Sequence, residues 1–195
     1  LKDLPEKIRQ EEWLELDDEQ RLAYDKVLET GRSVLSEKVK TENDFQIRRH
    51  IFALLQELKQ ICNFAPNKYE SPKTEALLDL VQTIADNQEK VLIFTQFVDN
   101  GIFKLERFFK DNFIKYVSLY GSDTQQDREK AIYTFRKDPS ITVFLSTVKS
   151  GGVGITLTEA SYVIHFDHWW NPATMWQAED RAHRPGQKNK LNVYS

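Results

Sequence analysis

The amino-acid sequence predicts an α/β fold: a doubly wound parallel sheet with helices on both faces, preceded by a helical N-terminal segment. From residue 72 onward, stretches with helical periodicity alternate with short β-rich stretches, which is typical of βαβ units. The stretches VLIF, TVFL and YVIHF are almost continuously apolar, as expected of strands covered on both faces. The composition agrees, because 40% hydrophobic and 12% aromatic residues over 195 positions suffice for a packed core.

The N-terminal part carries two helical patterns. An acidic N-cap at Asp17 or Asp18 predicts a helix that runs to about Leu35, because a carboxylate can accept hydrogen bonds from the free N–H groups of a first turn. Apolar residues spaced three and four apart predict a second helix over residues 45–61. Prolines and a loss of periodicity over residues 63–72 then indicate a linker.

This linker divides the chain into a helical lead-in, residues 1–71, and an α/β domain, residues 72–195. The chain ends in the strand-like LNVYS and its only methionine is Met175, so we expect a C-terminally truncated piece of a longer protein. In the α/β domain the alternation predicts helices over residues 73–85, 100–110, 125–136 and 173–184, and strands over residues 90–95, 115–120, 142–146, 162–166 and 191–194.

Composition excludes several classes of protein. The net charge of −3 argues against a strongly basic nucleic-acid-binding protein. The first 20 residues hold eight acidic and three basic side chains, a balance of −5, so the other 175 carry +2, which permits a local phosphate-binding groove. A membrane-spanning run of about 18 apolar residues is missing, so we expect no membrane partner. The single cysteine excludes an internal disulfide.

Ligand sites in such sheets gather at the carboxyl ends of the strands. A glycine-rich segment with Gly151, Gly152 and Gly154 follows one predicted strand there. Glycine lets the backbone approach a phosphate closely, although a tight strand connection uses glycine equally well. The chain contains no Walker A sequence GxxxxGK[ST], so the part that would cradle the β- and γ-phosphates and seat magnesium is missing.

Three polar residues of the last predicted helix are spaced for one helix face. Gln177, Arg181 and Arg184 stand at i, i+4 and i+7. Arginine suits phosphate oxygens, yet spacing alone favours a solvated face on which Glu179 or Asp180 pairs with Arg184. Pro185 is expected to end the helix at or near Arg184. The glycine loop and the missing Walker A sequence favour half of a composite nucleotide site.

Aromatic and imidazole side chains around these segments are assigned to packing. Trp169, Trp170 and Trp176 could stack on bases, but they flank a predicted buried strand, which favours the core. His165 lies within that apolar strand and is predicted to be a core histidine. The neighbouring histidines lack carboxylates and cysteines at ligand spacing, so we predict no metal ligand.

The order of these motifs resembles a known family. In sequence, order and spacing they are similar to motifs IV to VI of the Swi/Snf-type remodelling ATPases, the double-stranded-DNA translocases of helicase superfamily two. The residues that carry the resemblance are KVLIFTQF, LYGSDTQQDREKAIYTF, STVKSGGVGITLTEASYVIHFDHWWNP and QAEDRAHRPGQ. Upstream, LPEKIRQEEWLELDDEQRLAYDKVL, LKQICNFAP and SPKTEALLDLV resemble the same family, so the resemblance covers essentially the whole chain.

The resemblance implies that residues 72–195 are the second, RecA-like lobe of a two-lobe ATPase. In this family the first lobe of the same polypeptide carries the Walker A lysine and the acidic metal-binding motif, so ATP and magnesium would be seated mainly there. The second lobe supplies arginine fingers across the cleft, and the matching residues are Arg181 and Arg184. The resemblance also implies that the nucleotide lies near Gln177, Gly152 and Gly154, which match residues of the family's motifs V and VI.

The resemblance also implies contacts with double-stranded DNA. Hydroxyl, amide and basic groups suit contacts that hold register on a DNA backbone without reading its sequence. The residues that match the family's motifs in this respect are Gln96, Arg128, Ser146, Thr147 and Lys149.

Together these features predict the second motor lobe of an ATP-dependent double-stranded-DNA translocase, with a protein on the DNA as a candidate target. Its expected location is intracellular, in the cytoplasm or nucleoid of a prokaryote or the nucleus of a eukaryote. The chain alone is predicted not to hydrolyse ATP, because half of the site belongs to the other lobe. The alternatives are a non-catalytic DNA- or protein-binding module derived from that lobe and a strand-separating helicase.

Overall fold

The computed structural model describes residues 4–150 and 155–195. The chain forms two compact units. One is Leu14–Pro72, and the other joins the residues up to Trp13 with Lys73–Ser195. The predicted division near residue 72 therefore differs from the structure at the N-terminus, where the residues before Leu14 belong to the α/β unit.

The described residues form six strands, six α-helices and one short π-helical segment. None of the helices within these residues is both long and apolar enough to cross a membrane. In chain order the elements are β1 (Lys7–Gln10), α1 (Asp18–Lys38), α2 (Asp44–Asn63), α3 (Pro72–Asp86), β2 (Val91–Thr95), the π-helical segment (Val98–Phe103), α4 (Lys104–Asp111), β3 (Tyr116–Leu119), α5 (Gln125–Lys137), β4 (Val143–Thr147), β5 (Tyr162–His165), α6 (Pro172–Glu179) and β6 (Leu191–Tyr194).

The strands form one sheet in the order β1-β6-β5-β2-β4-β3. Every pairing between neighbours is parallel, which confirms the predicted sheet. Strands β2 and β4 are buried at each position, and the runs VLIF and VFL place apolar side chains on both faces of the pleat. The carboxyl ends of β2, β4 and β5 therefore meet at one edge, and the chain segments that leave them lie side by side.

The Leu14–Pro72 unit contains the helices α1 and α2. Asp17 and Asn43 cap them, each through a reciprocal pair of hydrogen bonds with the glutamine three residues later. Gln20 also donates a side-chain hydrogen bond to the carbonyl of Ile61 at 2.8 Å, which joins the two helices within the unit. Helix α1 extends to Lys38, beyond its predicted end at Leu35.

Strand β1 was not predicted, because the sequence KIRQ has no apolar alternation. It pairs in parallel with β6 from Lys7 opposite Leu191 to Gln10 opposite Tyr194. The N–H of Leu191 also donates to the carbonyl of Glu6 at 3.0 Å. The unpaired edge of β6 thus organises this polar segment, which is a tertiary effect rather than a local propensity.

The last helix is shorter than predicted, since α6 ends at Glu179 instead of running to Arg184. In a continuing helix the carbonyl of Arg181 would accept from the N–H of residue 185, but Pro185 has none. The carbonyl of Arg181 instead accepts a hydrogen bond from the N–H of Leu157 at 2.8 Å. The N–H groups of Arg181 and Ala182 bond to the carbonyls three residues before them, at 3.3 and 3.0 Å, as in a turn rather than an α-helix.

The prediction that Gln177, Arg181 and Arg184 share one helix face is therefore wrong. Gln177 lies on α6, whereas both arginines follow it. Arg184 begins a turn in which the N–H of Gln187 donates to the carbonyl of Arg184 at 3.0 Å. Proline follows Arg184, and Gly186 has a φ of 107°, as a type II turn requires.

We expect Phe135→Ala to lower the free energy of unfolding by about 3–5 kcal/mol, because a cavity would replace a buried ring. Phe135 of α5 is fully buried and meets Phe144 of β4 edge to face at 5.3 Å between ring centroids. Urea unfolding of the chain measures the loss. Tyr133→Ala, at an exposed position of the same helix, should change stability by no more than about 0.5 kcal/mol. Equal losses in the two variants would contradict the assignment of Phe135 to the core.

Candidate functional site

A cleft of about 590 Å³ opens where the strands β2 and β4 end. It gathers Gln96, Arg128, Thr147 and Lys149, four of the five residues for which DNA contacts are predicted. Trp169 also lines this cleft, which we call the strand-end cleft. Residues 50 positions apart in the chain are thus brought together by the parallel sheet.

The position of Gln96 is set by a buried carboxylate. Asp167, two residues after the end of β5, accepts a hydrogen bond from the hydroxyl of Thr95 at 2.5 Å and from the N–H of Gln96 at 2.9 Å. The side chain of Gln96 donates to the carbonyl of His168 at 3.3 Å. Asp167 is therefore a positioning residue that sequence reasoning missed, although an acid that directly follows an apolar strand is a detectable signal.

A glycine is needed beside the same hydroxyl group. A Cβ atom on Gly101 would lie 2.5 Å from the Thr95 Oγ1 atom, which is closer than real contacts allow. The π-helical segment can therefore pack against the end of β2 only with glycine at this position.

The hydroxyl groups at the end of β4 bond to one another. Thr147 donates to the hydroxyl of Ser150 at 2.6 Å, and Ser150 donates to the carbonyl of Leu119 at 3.0 Å. Ser146 is fully buried behind them, so the structure does not bring it into the strand-end cleft. Its hydroxyl instead lies 3.2 Å from that of Ser150 and shapes the loop from within. Gly152 and Gly154 lie outside the described residues.

Lys149 and Trp169 meet at the mouth of the strand-end cleft. The Lys149 Nζ atom lies 5.1 Å from the centroid of the Trp169 ring, a cation–π contact that orients the exposed ammonium group. Trp169 is half-buried against the core, in line with its predicted packing role. Trp170 and Trp176 differ from that prediction, because 45% and 53% of their surfaces are exposed.

Arg181 lies beneath the strand-end cleft, and only 6% of its surface is exposed. Its Nη2 atom donates to the carbonyl of Val148 at 2.9 Å, and the guanidinium stacks 5.1 Å from the centroid of the Phe94 ring. Burial, together with repulsion from Arg184 and Arg128, lowers its pKa to about 10. The group is thus still cationic at neutral pH, and no carboxylate of the described residues forms an ion pair with it.

Arg184 is partly exposed and is held to one side of Arg181. Its Nη1 atom donates to the hydroxyl of Thr156 at 3.0 Å, and its Nε atom to the carbonyl of Asp180 at 2.9 Å. Arg136 of α5 donates to the carbonyl of the same Thr156. The two arginines are therefore brought near each other by a turn, while Gln177 remains exposed on α6.

Glu179 is buried in a cluster of basic side chains that sequence reasoning did not connect. Its two carboxylate oxygens accept hydrogen bonds from Arg9 at 2.8 and 2.6 Å, and one also accepts from Lys7 at 3.0 Å. His165, buried as predicted, lies 3.4 Å away through its Nε2 atom. The predicted intrahelical pair with Arg184 is therefore wrong for Glu179.

These contacts shift the acidity of Glu179. Burial by itself raises the pKa of the carboxyl group, but hydrogen bonds from His165, Arg9 and Lys7 together outweigh it and lower the pKa to about 2. No group of three or more His, Cys, Asp or Glu residues in the described ranges could hold a metal ion.

The Glu179 pKa predicts sensitivity to acid. A carboxyl group whose pKa falls on folding contributes stability that is complete above its unfolded pKa of about 4.3 and is lost as the pH falls toward its folded pKa. Glu179→Gln should therefore be less stable than the native chain at pH 7, and the difference should shrink as the pH falls through this range. Thermal unfolding at a series of pH values measures it. A difference that does not vary with pH would contradict the prediction, and the exposed Glu6→Gln is the control.

Comparison with known proteins places these features in context. Residues 72–186 match the helicase conserved C-terminal domain family. An uncharacterized ATP-dependent helicase of Mycoplasma pneumoniae is 35% identical over 198 residues, which cover 100% of this chain and 19% of that protein. The chain thus spans about a fifth of the length of this curated relative.

Two solved structures have a similar fold. The SWI2/SNF2 ATPase core of Sulfolobus solfataricus in complex with double-stranded DNA superposes with a TM-score of 0.81 at 32% identity, over 98% of this chain and 41% of that one. The C-terminal part of the Fun30 ATPase domain superposes with a TM-score of 0.83 at 25% identity, over 98% of this chain and 85% of that one.

Proposed function

Because the chain belongs to the helicase conserved C-terminal domain family, we propose that it is the second motor lobe of an ATP-dependent double-stranded-DNA translocase of the Snf2 type. The predicted family and the RecA-like fold are confirmed by the comparisons above. The observation that carries the proposed role is the buried, cationic Arg181, which lies next to two other guanidinium groups and pairs with no carboxylate of the described residues.

The arrangement of the three guanidinium groups fits a phosphate ligand. Arg128, Arg181 and Arg184 raise each other's electrostatic energy, and burial adds a desolvation cost at Arg181. A bound polyanion would relieve both effects, because charge-assisted hydrogen bonds are strong where water is excluded. Arg181 donates to the carbonyl of Val148 through Nη2 only, so other N–H groups of the guanidinium remain to donate to a ligand.

In the proposed mechanism Arg181 and Arg184 donate hydrogen bonds to the γ-phosphoryl oxygens as charge develops there. ATP and its magnesium ion would be seated mainly by the first lobe of the same polypeptide, and the metal would neutralise phosphate charge. Arginines in this role contribute roughly 10³ to 10⁵ in rate to phosphoryl transfer. Gln177 and the glycine segment with Gly152 and Gly154 are proposed to lie at the nucleotide as well.

The strand-end cleft is proposed to hold the DNA backbone. Arg128 and Lys149 supply positive charge, while Gln96 and Thr147 supply neutral hydrogen-bonding groups. Such groups bind phosphate and sugar atoms and hold the protein in register without reading bases. The Sulfolobus relative, solved with double-stranded DNA, supports this assignment. Ser146 would act indirectly, through the hydroxyl cluster that shapes the loop.

In the full-length protein, Arg181→Ala should lower kcat for DNA-stimulated ATP hydrolysis by roughly 10³-fold or more, because the lost guanidinium acts on the transition state. A coupled phosphate-release assay measures the rate. Arg107→Ala, which removes an exposed arginine of α4, should leave the rate unchanged. Near-native hydrolysis by the Arg181 variant would remove this residue from the site.

As a further control, the 195-residue chain alone should show background hydrolysis, and robust turnover would contradict a site shared between two lobes.

Lys149→Ala in the full-length protein should weaken binding of duplex DNA equally for unrelated sequences. It should also reduce the slope of log affinity against log salt concentration by about one, since one phosphate contact is lost. Fluorescence anisotropy over a salt series measures both effects. Arg128→Ala should behave similarly, whereas Lys130→Ala, at an exposed position two residues further along α5, should not. An unchanged slope in both cleft variants would contradict the assignment.

A further inference from the structure

The N-terminal residues of the α/β unit hold the turn that carries Arg181. The segment Pro5–Arg9, which we call the N-terminal clasp, forms side-chain hydrogen bonds with Glu179, Asp180 and His183. These residues lie immediately before and after Arg181 in the chain. The bonded residues lie 170 to 178 positions apart in the sequence, so only the tertiary fold brings them together.

On one side of Arg181, the clasp holds Glu179. Arg9 bonds both carboxylate oxygens at 2.8 and 2.6 Å, and Lys7 bonds one of them at 3.0 Å. Lys7 also reaches the carboxylate of Asp180 at 3.3 Å. Lys7 and Arg9 alternate along β1, so both side chains lie on the same face of the sheet.

On the other side of Arg181, the clasp holds His183. The Nε2 atom of His183 lies 2.7 Å from the carbonyl oxygen of Pro5, and because a carbonyl only accepts, the imidazole donates. The turn is also tied to Glu179 through its backbone, since the Glu179 carbonyl accepts from the N–H groups of Ala182 at 3.0 Å and His183 at 3.1 Å. Arg181 is therefore fastened on both flanks.

The contact with Glu179 is more than a surface ion pair. Glu179 is fully buried, whereas the pair Glu6–Lys190, which joins the clasp to the residue before β6, is 64% exposed at both side chains. A buried carboxylate that loses a partner leaves an uncompensated charge, while an exposed pair contributes little. The orientation of the turn therefore depends on Lys7 and Arg9 far more than on the neighbouring surface charges.

We propose that the N-terminal clasp is a positioning element for the nucleotide site, in which Lys7 and Arg9 act through Glu179 to set the aim of Arg181. This inference rests on the proposed function, because the effect on rate requires Arg181 to act on phosphate. It adds a dependence of hydrolysis on the first strand of the sheet, which has no direct contact with the nucleotide in this scheme.

The test compares Arg9→Gln, Lys7→Gln and Arg9→Lys in the full-length protein. A guanidinium that points in the wrong direction loses its interaction with the transition state but not with bound ATP. For each glutamine variant, kcat for DNA-stimulated hydrolysis should therefore fall between about ten- and a hundredfold, while KM for ATP stays within about twofold. Arg9→Lys keeps the cation and should recover part of the loss. Lys190→Gln, the matched control directly before β6, should retain the native rate. A loss confined to KM, to DNA affinity or to the folded fraction would overturn the proposal, as would equal losses in Arg9→Gln and Lys190→Gln.

A double variant separates positioning from general damage. If Arg9 acts through Arg181, then Arg9→Gln combined with Arg181→Ala should be no slower than Arg181→Ala alone. A further tenfold loss in the double variant would overturn the clasp. Full activity of Arg181→Ala would instead refute the proposed function itself. Loss of activity in Arg181→Ala with native kcat in both glutamine variants would refute only the clasp.

Discussion

The hydrogen bond from Arg181 to the carbonyl of Val148 connects the parts of this lobe on which its proposed chemistry depends. Val148 lines the strand-end cleft, and its own N–H donates to the carbonyl of Thr95 at 3.2 Å. The guanidinium also stacks on Phe94 of the central strand β2. A single buried cation thus touches the loop that borders the cleft, the central strand and the turn after α6. Movement of any one of these elements must change the environment of Arg181.

Buried charges mark the functional edge of the sheet. Glu179, Asp167 and Arg181 are almost completely buried, and such groups are costly unless hydrogen bonds compensate them. Glu179 is compensated by basic residues of β1, and Asp167 by the end of β2. Arg181 has a backbone carbonyl and an aromatic ring instead of an anion. The contrast supports the proposed roles, in which Glu179 and Asp167 hold the geometry and Arg181 binds an incoming phosphate.

Sequence patterns located most of the sheet because its inner strands begin as apolar runs, such as VLIF in β2 and VFL in β4. The predicted strand over residues 191–194 matches β6, and the others match within two residues at either end. Four of the predicted DNA contacts meet in one cleft because parallel strands end at a common edge. The helix face expected for Arg181 and Arg184 failed because α6 ends at Glu179, well before the end that Pro185 predicted, and the carbonyl of Arg181 bonds to the distant N–H of Leu157. The burial of Ser146 also required the packed structure, because a hydroxyl at a strand end can point inward or outward.

The sequence by itself determined the fold class and the family, and it singled out Arg181 and Arg184 as the arginines proposed for the nucleotide site, because apolar runs and motif order are properties of consecutive residues. The tertiary structure alone decided where those arginines point and what holds them. KIRQ became a strand because β6 offers an unpaired edge, and Glu179 became a buried anion because that strand carries Lys7 and Arg9 to it. Contacts between residues so far apart depend on the pairing of β1 with β6, which no local pattern encodes.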